Sequence, residues 1–246
     1  MNLSDALSAL AAFLTLDAAE LHEYARADTY GGWHPDEAQR QFAVGSLFAV
    51  EGQALYALVR ALRPASVLEL GVNHGASSTH LLAALDANGS GKLTSVDIWG
   101  GAGYAIPDAL KPLVNLVYAD ALEAITALDD HSVDFVFEDL LHGDEQTRLI
   151  IEALQPKLTP GAVVVHHDSE HGDDGVKVKA GISAAGISDY LSVLIEPSDC
   201  GLAVWQADGE RGETEAEPEA ETEPAPTPKP PARKRKPAAK KPAAKK

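Results

Sequence analysis

Apolar residues recur at helical spacing through the first part of the chain, at Leu3, Leu7, Leu10 and Leu14 and then at Leu21 and Tyr24. The stretch Tyr30-Gly31-Gly32-Trp33-His34-Pro35 breaks the pattern. Pro35 is well placed to open a second helix, which runs to about Leu62 and is stopped by Arg63-Pro64. Beyond that point short apolar runs alternate with helical segments. The runs predict strands at Ser66–Leu70, Leu93–Val96, Leu113–Val117, Val133–Phe137, Ala162–His166, Leu191–Ile195 and Leu202–Trp205. Helices are predicted between them at about 76–87, 105–111, 120–128, 144–157 and 174–186. This alternation predicts an α/β fold: a doubly wound, seven-stranded, mostly parallel sheet with helices on both faces. The last two runs lie close together, which predicts a final hairpin and an antiparallel edge strand. In such sheets ligands bind beyond the carboxyl ends of the strands, at the switch point beside the first strand.

Composition divides the chain in three. From about Gly209 large apolar side chains vanish, leaving a Glu-Thr-Ala-Pro segment and then a Pro/Ala/Lys segment. Such a stretch cannot bury enough apolar surface to offset its ordering entropy, so residues 209–246 are expected to be a disordered, acidic-then-basic tail. Residues 1–62 read as an N-terminal helical cap and residues 63–208 as the α/β domain. Residues 1–209 hold ten basic against thirty acidic residues, a net of −20, whereas residues 210–246 carry +3. An acidic domain repels phosphate backbones. Contact with nucleic acid or an acidic partner is therefore expected only through the tail, whose last 18 residues hold nine basic residues and no acid. Cys200 is the only cysteine, so no intrachain disulfide can form and a reducing compartment fits. Neither a signal peptide nor an 18-residue apolar stretch is visible, and the expectation is a cytoplasmic protein with no membrane partner.

The candidate chemistry lies just after the strands. The first strand leads into Glu69-Leu70-Gly71-Val72-Asn73-His74-Gly75-Ala76-Ser77. Gly71 and Gly75 bracket a tight turn that lets a ligand approach the backbone. Asn73 stands where a dinucleotide site would place its middle glycine, which disfavours a pyrophosphate ligand and a nicotinamide oxidoreductase. The second strand ends in Asp97-Ile98-Trp99, a carboxylate able to accept ribose hydroxyls beside an apolar ring. The third leads to Asp120, which could equally cap the following helix. Three acids at strand ends with no basic residue suit a ligand without phosphates.

Glu-Leu-Gly-x-x-x-Gly-x-Ser, then Val-Asp-Ile-Trp, then Ala-Asp-Ala resemble the successive cofactor motifs of class I S-adenosylmethionine-dependent methyltransferases. The likeness is strongest to small-molecule O-methyltransferases of the catechol and antibiotic-sugar types, and it covers about residues 40–206. It implies a Rossmann-like methyltransferase fold with S-adenosyl-L-methionine as cofactor and a hydroxyl-bearing small molecule as acceptor. By the resemblance Glu69, Gly71, Gly75 and Ser77 line the methionine end, Asp97 holds the ribose, and Trp99 and Asp120 lie near the adenine.

The fourth strand ends in Glu138-Asp139-Leu140-Leu141-His142 and the fifth in His166-His167-Asp168-Ser169. In the resembled enzymes the carboxylates matching Asp139 and Asp168 hold a divalent cation, Mg2+ or a similar ion, and the third ligand would fall at Ser169. His142 lies where those enzymes carry a base, and a neutral imidazole can take a hydroxyl proton near pH 7. Asp139 and His142 are thus the expected catalytic pair. His166 and His167 should diverge to opposite faces of their strand, which argues against a joint transition-metal site. Tyr30 and Trp33 are placed to close over a substrate or to pack on the sheet. Two rival functions stand beside the enzyme: a non-catalytic module that keeps the cofactor fold, and a nucleic-acid-associated protein acting through its basic tail. The N-terminal helices offer a surface through which an oligomer could form.

Overall fold

The computed structural model describes residues 1–26 and 47–208. The Tyr30–Pro35 loop, the early part of the predicted second helix and the tail from Gly209 lie outside the described residues. Asn2 caps α1 (Leu3–Leu14) by accepting from the Asp5 amide at 2.9 Å, and left-handed Thr15 ends it. Asp17 caps α2 (Ala18–Tyr24) through the Ala19 amide at 2.8 Å. Among the described residues, the helix that reaches Leu62 starts at Ala49: Phe48 is extended, and its amide is taken by the Glu51 carboxylate at 3.2 Å. This α3 (Ala49–Leu62) stops at left-handed Arg63, ahead of Pro64.

Seven strands follow: β1 (Ser66–Leu70), β2 (Lys92–Asp97), β3 (Val114–Tyr118), β4 (Val133–Glu138), β5 (Leu158–His166), β6 (Leu191–Val193) and β7 (Leu202–Gln206). They form one sheet in the order β3-β2-β1-β4-β5-β7-β6. The first five are parallel, while β7 runs antiparallel to both its neighbours. The antiparallel strand is therefore not the edge: β7 lies inside, registered from Val163↔Gln206 to His166↔Ala203, and three-residue β6 forms the edge. The connecting helices are α4 (Ala76–Asn88), α5 (Ala121–Thr126), α6 (Asp144–Leu154) and α7 (Gly172–Ala184).

Strand alternation sorts the core into two layers. Val67, Phe135, Phe137, Val163 and Val165 face α1–α4 on one side. Leu68, Leu70, Val136, Val164 and Trp205 face α5–α7 on the other. The helix predicted at 105–111 is a series of turns closed by a 3-10 turn at Lys111–Leu113. Pro107 and Pro112 remove amide donors there, and Gly103 sits at φ +75°. Pro156 likewise ends α6 at Leu154, leaving Gln155–Lys157 as a 3-10 turn. Among the described residues no helix is long and apolar enough to cross a membrane.

Candidate active site

β1 is the pivot of the strand order, with β2 on one flank and β4 on the other, so the crevice opens at its carboxyl end. Gly71 continues β1 by donating to the Val96 carbonyl (2.9 Å), and Asp139 continues β4 by donating to the Leu70 carbonyl (2.8 Å). Gly71 takes φ +88°, and a Cβ there would stand 2.0 Å from the Asp139 carbonyl oxygen. Only glycine admits this approach. Gly75, at φ +102°, is similarly closed in, with Ile106 2.6 Å from where a Cβ would be.

The structure turns Glu69 and Ser77 onto each other. Both are buried, and the Glu69 carboxylate accepts from the hydroxyls of Ser77 and Ser78 (2.6 Å each) and Ser95 (2.5 Å). Burial pushes the Glu69 carboxyl up to about 7, against the pull of these three donors. Asp97 lies under the turn: Oδ2 accepts from the Val72 and Asn73 amides and Oδ1 from that of Trp99, at 2.8–2.9 Å. Oδ1 keeps further acceptor capacity, and the residues that follow, Ile98 and Trp99, are exposed and half-exposed. Trp99, His74 and Tyr104 form an edge-to-face group with ring centroids 5.3–6.3 Å apart, and Tyr104 had not been singled out from sequence. Asp120 caps α5, accepting from the Leu122 and Glu123 amides at 2.8 and 3.3 Å through one oxygen. A cavity of about 430 Å³ adjoins it, lined by Leu122, Gly143, Gln146, Leu149 and Ile150. Two cavities of about 480 and 500 Å³ lie elsewhere, around Pro160, and contain none of the expected site residues.

The second cluster forms at the ends of β4 and β5. His142 Nε2 stands 3.1 Å from Asp168 Oδ2 and 3.5 Å from Asp139 Oδ1. His167 Nδ1 lies 3.2 Å from each of the same two oxygens. Its Nε2 is 3.1 Å from Glu51, a fully buried carboxylate on α3. Glu51 also accepts from Ser198 Oγ (2.6 Å) and the Gly201 amide (2.9 Å). His167 is thus wedged among three carboxylates. Burial opposes its charge, yet the charge and hydrogen bond of Asp139 raise it well above the ordinary imidazole value. Burial alone would raise Asp139 and Asp168, but the neighbouring imidazoles override it and hold both below the usual carboxylate range. The close approach of Asp139, with Asp168 beside it, raises His142 against the pull of burial. Asp168 takes φ +56°, a strained conformation at the tip of β5.

His166 diverges from His167 as the alternation requires. Trp205 donates to His166 Nε2 (3.0 Å), so Nδ1 carries the proton and donates to Glu138 (2.8 Å), which also accepts from the Leu140 amide (3.1 Å). This buried triad fixes the loop that carries Asp139 and His142 from the opposite face. Ser169, in the place of a third ligand, is buried and paired with Ser192 Oγ at 2.9 Å. Sequence reasoning missed Glu51, whose position in the first turn of a helix is where acids are common for capping alone.

Strand order and switch-point crevice define the class as a doubly wound cofactor-binding fold. Residues 68–169 match the family model described as a methyltransferase domain. An uncharacterized protein, y4gI, of Sinorhizobium fredii is 30% identical over 135 residues, 49% of this chain and 15% of that protein, so the chain spans a small part of that relative's length. The O-methyltransferase TomG of Streptomyces achromogenes, solved with S-adenosylmethionine and involved in tomaymycin synthesis, is 24% identical with a TM-score of 0.57, covering 71% of this chain and 88% of TomG. Cofactor-bound Rv0187 from MTB is 20% identical with a TM-score of 0.59, covering 85% and 99%. These two likenesses show the fold. Residues 68–169 thus match a methyltransferase domain, set in a fold shared with these solved structures.

Proposed function

We propose that the protein transfers the methyl group of S-adenosylmethionine to a hydroxyl of a small molecule, at the junction of the β1–α4 turn and the Asp139–His142–Asp168 cluster. The observation that carries this reading is the contact of Gly71 with the Asp139 carbonyl, which joins the cofactor turn to the cluster at one point. The cofactor's methionine end would lie against the Gly71–Gly75 backbone and its ribose on Asp97. Its adenine would lie by Ile98, Trp99 and the cavity at Asp120. The substrate oxygen would form its bond to the methyl carbon as the carbon–sulfur bond breaks, the sulfur keeping the electron pair. His142 would take the hydroxyl proton. Positioning of the two reactants supplies most of the acceleration in such a transfer. The acidic domain favours an uncharged or cationic acceptor over a phosphate polymer.

The cluster also fits a divalent ion. His142 Nε2 is a buried nitrogen without a hydrogen-bond partner, and with Asp139 and Asp168 it forms a set whose ligand atoms lie within 4.8 Å. Ligands of one octahedral ion at 2.1 Å stand about 3 Å apart, close to the 3.1 and 3.5 Å found here. A nitrogen ligand shifts preference from magnesium toward manganese, iron or zinc. Such an ion would bind and acidify the acceptor hydroxyl in place of proton removal by His142, and His167, anchored by Glu51, would orient both carboxylates from behind.

Calorimetric titration of S-adenosylmethionine and S-adenosylhomocysteine into the full chain, with and without manganese, tests both parts. Micromolar binding that Asp97→Ala weakens at least tenfold, about 1.4 kcal/mol, is expected, followed by methyl transfer in a screen of hydroxylated acceptors. Absence of binding to the folded protein removes the cofactor reading. Binding without consumption of the cofactor by any acceptor favours the non-catalytic alternative. Manganese that neither binds nor alters turnover removes the metal.

A further inference from the structure

We propose that the chain carries a second cation site at the rim of the cluster, where His171 Nδ1, an Asp199 carboxylate oxygen and Cys200 Sγ take a zinc-like divalent ion. The three ligand atoms lie within 4.8 Å of one another. His171 Nδ1 is 3.9 Å from Asp199 Oδ2, and Cys200 Sγ is 3.6 Å from Asp199 Oδ1. A tetrahedral ion bonded at 2.0–2.3 Å holds its ligands roughly 3.4 Å apart. The side chains of His171 and Asp199 are largely in solvent, so small rotations close the remaining gap.

The backbone beneath these side chains is already fixed. The β5–α7 loop is laced to the β6–β7 loop by the Glu170 amide donating to the Cys200 carbonyl (2.7 Å) and the Ser169 amide to the Gly201 carbonyl (3.4 Å). The Cys200 amide donates to Ser198 Oγ (3.0 Å), which in turn donates to buried Glu51 (2.6 Å). Ligands on clamped loops lose little freedom on binding, the condition for a preorganised site. Cys200 also neighbours His167 and Asp168, but both His167 nitrogens are engaged, one with Asp139 and Asp168 and the other with Glu51. The thiol itself shares hydrogen bonding with His167 and Asp168, so an ion at the rim draws Sγ away from these two toward His171 and Asp199.

Thiolate, imidazole and carboxylate together select a borderline-to-soft ion over magnesium or calcium. On binding, the thiol proton passes to solvent and the sulfur's electron pair to the metal. The positive end of α7 opposes a cation at His171, but Asp173 and Asp174 in its first turn supply opposing negative charge. The exposed side of the set leaves the fourth position to water, the open arrangement of a site that exchanges its ion.

Cobalt titration of the full chain, followed in the near ultraviolet for sulfur-to-cobalt charge transfer, tests the site. The expected result is a saturable band, displaced by zinc and absent in Cys200→Ser. Its midpoint should rise at least tenfold in His171→Ala and in Asp199→Asn and stay unchanged in Asp139→Asn. Circular dichroism of each variant verifies the fold, which substitutions at exposed His171 and Asp199 leave intact. No charge-transfer band in the parent, or a band whose midpoint His171→Ala and Asp199→Asn leave unmoved, overturns the proposal.

Discussion

The β1–α4 turn and the cluster at the ends of β4 and β5 touch at Gly71 but are built in opposite ways. In the turn, backbone amides of Val72, Asn73 and Trp99 converge on one carboxylate, Asp97, and two glycines supply the bend. In the cluster, side chains from α3, β4, β5 and the loops after them converge on one imidazole, His167. A backbone-built turn tolerates many side chains but very few at its bends. A side-chain cluster tolerates backbone change but none of its members can be removed without stranding the rest.

The largest expected effect strikes both regions. Gly71→Ala places a Cβ 2.0 Å from the Asp139 carbonyl at φ +88° and should cost about 4 kcal/mol or more of unfolding free energy. Gly89→Ala, also at positive φ but in open space, should cost only about 1 kcal/mol. Equal urea midpoints for the two would show that the junction yields. Next comes Glu51→Ala, which strands His167 Nε2, Ser198 Oγ and the Phe48 and Gly201 amides. Its expected cost is about 3–5 kcal/mol, more than Asp97→Ala, and Glu51→Gln should recover part of it.

A third contrast lies within the face that carries α4. Burial pushes Glu69 up to about 7 and His80 down to about 4. The stability that neutral Glu69 contributes is present below pH 4.5 and lost as pH rises to about 7. That of neutral His80 is present above pH 6.5 and lost as pH falls to about 4. Each amounts to about 3 kcal/mol, and the two oppose each other between pH 4.5 and 6.5. Relative to the parent, Glu69→Gln should gain stability as pH rises through that window and His80→Leu as it falls. Denaturant titrations at pH 4.5, 5.5 and 6.5 measure both slopes, and parallel curves would mean that neither group titrates in the fold. Smallest of all, Asp120→Ala should cost about 1 kcal/mol by loss of the α5 cap, and Asp120→Asn should restore it.

What was legible in the sequence follows the same division. β1 is found at its predicted bounds, Ser66–Leu70, because a short apolar run between Pro64 and Gly71 has no other reading. The turn was legible because Glu69, Gly71, Gly75 and Ser77 are adjacent in the chain, although the sequence did not reveal that Ser77 would close onto Glu69. That Asp139 and His142 would stand near each other could be anticipated, three residues apart on one loop. Glu51 could not: its partners His167, Ser198 and Gly201 lie 116, 147 and 150 positions away. The inward place of β7 was hidden for a related reason, since nothing local distinguishes a strand that inserts beside β5 from one that ends the sheet.

With Trp33 replaced by phenylalanine, the contrast between Trp99 and Trp205 makes the protein its own reporter. Trp205 is buried and bonded to His166, while Trp99 stands half in solvent at the mouth of the crevice. Excited at the red edge, the solvated indole emits selectively, and a soluble quencher reaches it while sparing its buried counterpart. Light from one ring therefore registers arrivals at the crevice, and light from the other registers whether the sheet behind it is intact.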